Sequence, residues 1–474
     1  MLASRFRLAQ GFASYDEELR GRAGGALASN ERDARAVTDA ALGWLAARPG
    51  GSGSSRPFFY WLHYFDPHAP YRPPVEYAAA STNDETRYLG EVRYMDAQLG
   101  RLVAELERRG DLARTVFVLT ADHGESLHEH GEPTHGVFVY DATIRVPLIL
   151  SLPFAKEATI VEHTAVSHVD VVPTLLALLG LPAAEGLDGR DLFAAPASAD
   201  RGVYAEAMLP RYHHGWAPLF GWRTRDRKFV RAPEPELYAL DRDPGESRNL
   251  LPGAGDEARR LDEALEALAP RAGGDEALAP AEGEVDAELA ARLAALGYAR
   301  GAGSRGAGGP EDPKRMLPLY LKTQEAMVVS ERGDPKRGRE ILRRVLRGDP
   351  GNAKAWEFAA MINLKLDETA EAEACIARSL ELLETAPLRL MHGQVLLKLD
   401  RHEDAEVELA RALELEPGLA EVHIARGDGL AIRGRFEEAL THYRRAAEVD
   451  PDVAGKRAAV KIARIEALIE RRGR

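Results

Sequence analysis

Apolar positions between residues 35 and 230 recur with two different periods. In ARAVTDAALGWLAAR (residues 34–48), Val37, Ala41, Leu42 and Leu45 share one face of a helix. A second amphipathic helix is predicted over YLGEVRYMDAQLGRLVAELERRG (88–110), and a third over VDVVPTLLALLGL (169–181). Three short apolar runs read instead as strands: PFFYWLHYF (57–65), TVFVLT (115–120) and VPLILSL (146–152). Strands alternating with helices of this length predict an α/β fold, a mostly parallel sheet sandwiched between helices. Beyond Asp200 the pattern changes, and GWRTRDRKFVRAPEPELYALDRD (221–243) reads as short strands joined by turns. Two helical patterns follow between residues 252 and 298, and then the Gly-rich, apolar-poor stretch 299–315 marks a flexible linker.

After the linker a repeat emerges. Gly393 and Gly427 stand 34 residues apart, as do Ala405 and Ala439, Ala412 and Ala446, and Pro417 and Pro451. Small residues at fixed places in paired helices, with proline closing each unit, are the pattern of tetratricopeptide (TPR) repeats. About three units and a partial one are expected, with residues 453–472 as a capping helix. Such an all-α solenoid buries a core only by stacking, and it offers a groove for a protein or peptide partner. The domain reading is therefore 1–250 for the α/β domain, 251–315 for a helical segment and linker, and 316–474 for the repeats.

Composition narrows the function. At 474 residues the chain has room for two or three cores, and 45% apolar with 29% charged is ordinary for a globular protein. A net charge of −13 leaves no basic surplus for phosphate backbones, so nucleic acid is not an expected partner. One cysteine, Cys375, rules out an intrachain disulfide framework, and its setting in a repeat helix makes it a packing residue. No run approaches the roughly 18 apolar residues of a spanning helix, and the opening residues lack the apolar core of a signal peptide. The compartment stays open, because the natural start is expected to lie upstream of Met1.

The chemistry gathers where the predicted strands end. In open α/β sheets ligands sit beyond the carboxyl ends of strands. The run 115–120 delivers Asp122 and His123, then Gly124 for a sharp turn; the run 57–65 delivers Asp66 and His68. A carboxylate beside an imidazole suits a divalent cation. His68 and His135 suit an anionic ester oxygen opposite it.

TADHGESLHEHGEPTHGVFVYDATIRVPLIL (120–150) resembles the metal-binding segment of the sulfatase family, within the alkaline phosphatase superfamily. PFFYWLHYFDPHAPY, HVDVVPTLLALLGL with LDGRDL, and ELYALDRDPGESRNL match in the same order, so the resemblance covers roughly residues 1–250. It implies an alkaline-phosphatase-like fold, incomplete at its N-terminus, with Asp122 and His123 as metal ligands. It also implies that His68 and His135 contact a sulfate or phosphate ester group. Calcium is common in the family, while an imidazole ligand also suits zinc or manganese. Glu125 and Glu129 receive no such role, and hydrogen-bonded support is expected of them. Asp66 is expected to fix the turn that aims His68. His130 stays ambiguous, and His128 stands where the family has glycine. The family's nucleophile segment, of the kind C-x-P-S-R or T-x-P-S-H, is not found in this chain. The chain alone is therefore expected to be inactive or nearly so, as a fragment, a product of a misassigned start or a degenerate relative. A sulfatase-like domain followed by TPR repeats is a combination associated with bacterial proteins. Two other readings stay open: a non-catalytic TPR scaffold carrying a relic domain, and a phosphoryl-group transferase of the phosphoethanolamine-transferase type.

Overall fold

Side-chain caps start the first two helices where the apolar pattern begins. In the computed structural model, Asp33 accepts the Ala36 N–H ahead of α1 (Ala34–Ala46), and Asn83 accepts the Thr86 N–H ahead of α2 (Asp84–Arg108). The structure describes residues 9–16, 32–48, 57–79, 83–155, 165–194, 201–268, 310–450 and 454–472. They fall into two compact units, one of Leu2–His135 with Tyr140–Thr164, the other of Gly136–Val139 with Ala165–Arg474.

In the first unit, Ala41 and Leu45 of α1 pack on Leu102 and Leu106 of α2, each pair one helical turn apart. β1 (Phe117–Thr120) pairs with β2 (Leu148–Ser151), Phe117 opposite Ser151 and Thr120 opposite Leu148, with the short helix α3 (Asp141–Ile144) between them. Residues 57–65 depart from the strand expected there, since they enter neither sheet. Their alternation is nevertheless real: Phe58 and Tyr60 lie against Trp44, whereas Phe59 and Trp61 are about two-thirds exposed, at 68% and 66%. Among the described residues every strand pair is antiparallel, against the mostly parallel sheet expected. Local periodicity selects strands, but the direction in which two strands meet is a long-range property. The division into a mixed α/β region followed by helices holds.

In the second unit, α4 (Val171–Leu178) begins at Asp170, whose buried carboxylate accepts the N–H groups of Ser167 (2.9 Å) and Arg190 (3.0 Å). Both guanidinium nitrogens of Arg201 also reach it, at 2.7 and 2.8 Å. Thr174 accepts the Leu192 N–H, so HVDVVPT and LDGRDL are two halves of one structural clasp. Four antiparallel strands follow in the order β3 (Val203–Ala207), β4 (Leu219–Arg223), β5 (Arg227–Arg231), β6 (Glu236–Ala239), with the helix α5 (Leu209–His214) between β3 and β4. α6 (Gly255–Glu266) covers the sheet by setting Ala258 and Leu265 on Phe229 and Leu237. Lys228 and Glu246 form a fully buried ion pair at 2.8 Å beside it. The second helical pattern predicted near residues 284–298 and the Gly-rich stretch up to 309 lie outside the described residues.

The repeats comprise four helical hairpins and a cap, rather than three and a part: α7 (Pro313–Glu331) with α8 (Pro335–Gly348), α9 (Ala353–Lys365) with α10 (Thr369–Leu382), α11 (Ala386–Lys398) with α12 (His402–Leu415), α13 (Ala420–Ile432) with α14 (Phe436–Val449), then α15 (Ala454–Arg472). The array is joined to α5 and the turns beside the sheet of its own unit. Trp216, 1% exposed, donates its indole N–H to Asp349 at 2.7 Å, and His214 stacks on Trp216 while its Nδ1 meets Asn352 Oδ1 at 3.1 Å. Asp312 accepts the Glu234 N–H at 2.9 Å. Cys375 packs in the repeat core near Asn363, and burial pushes its thiol pKa up, as befits a packing residue. Among the described residues no helix is long and apolar enough to cross a membrane.

Packing explains the 34-residue period. A Cβ on Gly427 would stand 2.5 Å from Cε1 of Tyr443, and one on Gly393 would stand 2.7 Å from Cγ of Leu409. The Tyr443 hydroxyl donates to Asp428 at 2.7 Å, which holds the ring in place. Gly427→Ala therefore pits a helix-propensity gain of up to about 1 kcal/mol against an overpacking cost of about 1–3 kcal/mol. The expected net is destabilisation, read as a lower urea midpoint for the repeat array; an unchanged or raised midpoint would contradict the packing account.

Candidate active site

β1 ends at Thr120, and the chain then folds on itself up to His135. Gly124, expected to allow a sharp turn, is required here by close approach of the backbone. Its N–H donates to Thr143 O at 2.8 Å, and a Cβ would stand 2.3 Å from Ala142 O. Ser126 N–H donates to Thr134 O at 2.8 Å, and His128 N–H donates to Glu132 O at 3.0 Å, closing a compact loop. Buried Ser126 adds its hydroxyl to Glu132 O at 2.7 Å. His128 has φ 80, the left-handed region that favours glycine, which accounts for the glycine expected there. Its ring is exposed, 3.9 Å from Asp84, whereas His130 stacks on Tyr140 at 3.5 Å. Both sit apart from the cluster below. Glu129 folds back to accept the Leu127 N–H at 2.5 Å, a loop-supporting bond.

This loop and the 66–72 turn bring three imidazoles together. His123 and His135 have ring centroids 4.0 Å apart, and His68 meets His135 edge-on at 6.0 Å. Each ring is pinned through Nδ1: His68 to Ala69 O at 2.6 Å, His123 to Gly124 O at 2.8 Å, and His135 to Glu125 Oε1 at 3.0 Å. Carbonyls and carboxylates only accept, so Nδ1 carries hydrogen in all three, leaving Nε2 for a ligand. Glu125 thus takes the supporting place expected of it. Its hydrogen bond raises the His135 pKa, with burial opposing and the charges of Glu125, Glu132 and Asp122 assisting. A protonated His135 can offer Nε2–H to an anionic oxygen.

Asp122 and His123 form the open edge of the cluster. Asp122 Oδ1 lies 3.7 Å from His123 Nε2, and the Asp122 side chain is 74% exposed. One anionic oxygen and one neutral nitrogen at that separation fit a shared divalent cation. Among the described residues no group of three or more His, Cys, Asp or Glu side chains is placed to hold a metal ion. Asp66 accepts the Ala34 N–H at 2.7 Å, anchoring the turn to α1.

Three neighbours were not singled out from the sequence. Glu91 of α2 accepts the His68 N–H at 3.0 Å, and the buried ring of Tyr71 meets Tyr88 edge-on. Burial and then the Glu125 carboxylate push the Tyr71 hydroxyl pKa up. His63 is held low by burial, with the Asp122 charge working against it. The signal for Glu91 was a lone carboxylate on the apolar face of α2, among Tyr94, Gln98 and Leu102.

Residues 9–181 match the sulfatase family, and 129–269 match the family described as N-sulphoglucosamine sulphohydrolase, C-terminal. Residues 323–387 and 420–453 match tetratricopeptide repeats. The chain is 33% identical over 166 residues to the uncharacterized sulfatase YidJ of Escherichia coli, covering 33% of this chain and 32% of that one. It is 30% identical over 192 residues to an N-acetylglucosamine-6-O-sulfatase of Bacteroides thetaiotaomicron, covering 38% and 34%. The chain therefore spans about a third of the length of these curated relatives. Among solved structures, a putative sulfatase from Bacteroides fragilis aligns with a TM-score of 0.45 at 18% identity, over 52% of this chain and 61% of that one.

Proposed function

We infer, for a chain whose N-terminal region belongs to the sulfatase family and whose C-terminal region is a tetratricopeptide array, the working parts of a metal-dependent sulfuric-ester hydrolase. Asp122 and His123 hold the divalent ion, calcium being favoured over zinc or manganese. When bound, the ion supplies Lewis acidity at the ester oxygens and lowers the pKa of a coordinated nucleophile. His135, charged against Glu125, donates Nε2–H to an anionic oxygen of the ester, stabilising charge that grows during transfer, and His68 contacts the same ester group. The repeats recruit a protein or peptide partner through their groove. The observation that carries this reading is the trio of imidazoles with every Nδ1 pinned and one backed by a carboxylate.

Without a nucleophile segment among its residues, the chain by itself binds the ion and the ester anion but turns over little. The test loads it with calcium, zinc or manganese, titrates sulfate and phosphate by calorimetry, and assays aryl sulfate and aryl phosphate. Sulfate should bind the loaded chain, weaken at least about tenfold in His135→Ala, and accompany negligible turnover. Preference for phosphate would favour the phosphoryl-transfer reading. A chain that binds neither ion nor anion while its repeats stay folded would favour the scaffold reading and defeat this one.

A further inference from the structure

We propose that Glu91 is the positioning residue of the ester-binding site, a carboxylate on α2 that clamps the turn carrying His68; this rests on the hydrolase reading of the same site. Glu91 is 5% exposed. Its Oε2 accepts the His68 N–H at 3.0 Å, and its Oε1 accepts the Arg72 N–H. One side chain therefore closes a four-residue span of backbone, as a helical turn would, with its charge shared between two amides. The remaining freedom of His68 is taken by two further contacts. Ala69 O holds the ring edge at 2.6 Å, and the ring of Phe65 stacks on its face at 4.1 Å.

The clamp acts on the geometry between His68 and His135. His135 belongs to the loop after β1, braced by Glu125, while His68 belongs to a turn carried by the two helices through Asp66 and Glu91. The two imidazoles converge on one anion only if both supports hold. The same turn carries Tyr71, whose ring packs on Tyr88, one turn before Glu91 on α2, and whose hydroxyl feels Glu125. Moving the turn therefore displaces His68, while His135 keeps its own brace at Glu125. A carboxylate is needed, because glutamine at this position can accept one amide but must set its NH2 group against the other.

The test compares Glu91→Gln with the parent chain, loaded with the same divalent ion, using inorganic sulfate as probe. Expected are faster amide exchange at His68 and Arg72, a displaced imidazole resonance for His68 with that of His135 kept, and sulfate affinity down about tenfold at unchanged metal content. Glu91→Asp, which keeps the charge, should recover part of that affinity, and it carries the same comparison if the glutamine variant does not fold. A His68 resonance and sulfate affinity at parental values would overturn the proposal, as would loss of the bound ion in step with the anion. If the parent chain itself ignores sulfate, the hydrolase reading fails, while amide exchange and the His68 resonance still decide the clamp.

Discussion

Asp122→Ala should strip the divalent ion from the chain while leaving its fold intact. Asp122 is mostly exposed and takes no part in a buried core, so its removal creates no cavity and frees only the exposed His123 N–H it accepts at 3.0 Å. Its one strong consequence is at the cation. Without the anionic oxygen 3.7 Å from His123 Nε2, the remaining imidazole binds a hard ion such as calcium poorly. Affinity should fall by about a hundredfold or more, the upper range seen even for outer supporting residues. His123→Ala should do the same, and the double variant should add little, because the two ligands act as one unit. Metal content after dialysis and the thermal midpoint, measured together, check this. Retention of the ion by Asp122→Ala at the parental level would refute the ligand assignment.

Asp170→Asn should strongly destabilise the second unit. The carboxylate is buried, takes both arms of Arg201, and accepts two backbone amides that join HVDVVPT to LDGRDL. Losing its charge leaves the Arg201 guanidinium without its counter-ion, at a cost of about 3–5 kcal/mol. The pH dependence has a definite sign. Burial alone would raise the Asp170 pKa, but Arg201 and the amides of Arg190 and Ser167 outweigh it and hold it low. A depressed carboxylate contributes stability that is complete above its unfolded value, near pH 4, and is lost as pH falls through the folded value. The gap in urea midpoint between parent and variant should therefore be full at pH 7 and narrow below pH 4. A gap of the same size at pH 3 would show that packing, not charge, holds the clasp.

The site was legible where chemistry is local. Asp122 and His123 are adjacent in sequence at the end of a strand, and His135 beyond the loop was expected to face them across the ester group. Its ring lies 4.0 Å from that of His123, and Glu125 supports it as expected. Glu91 was not legible, because its two hydrogen bonds run to a turn about twenty residues earlier in the chain, and nothing in the α2 pattern says where its buried carboxylate points. Gly124 was read as a turn residue, although what demands glycine is the carbonyl of Ala142 pressed against it.

Helices, strand tendencies and the 34-residue period follow from the sequence by itself, because each arises from residues within a turn or two of one another, or from repetition of such units. Three things were decided only by tertiary structure: the antiparallel meeting of β1 with β2, the failure of residues 57–65 to join a sheet, and the joining of the repeats to α5 and the loop after it through Trp216, His214, Asp349 and Asn352. Each depends on which distant surfaces meet and which buried polar groups find partners there. Local propensity does not encode that pairing, whereas the free energy of burying polar groups enforces it.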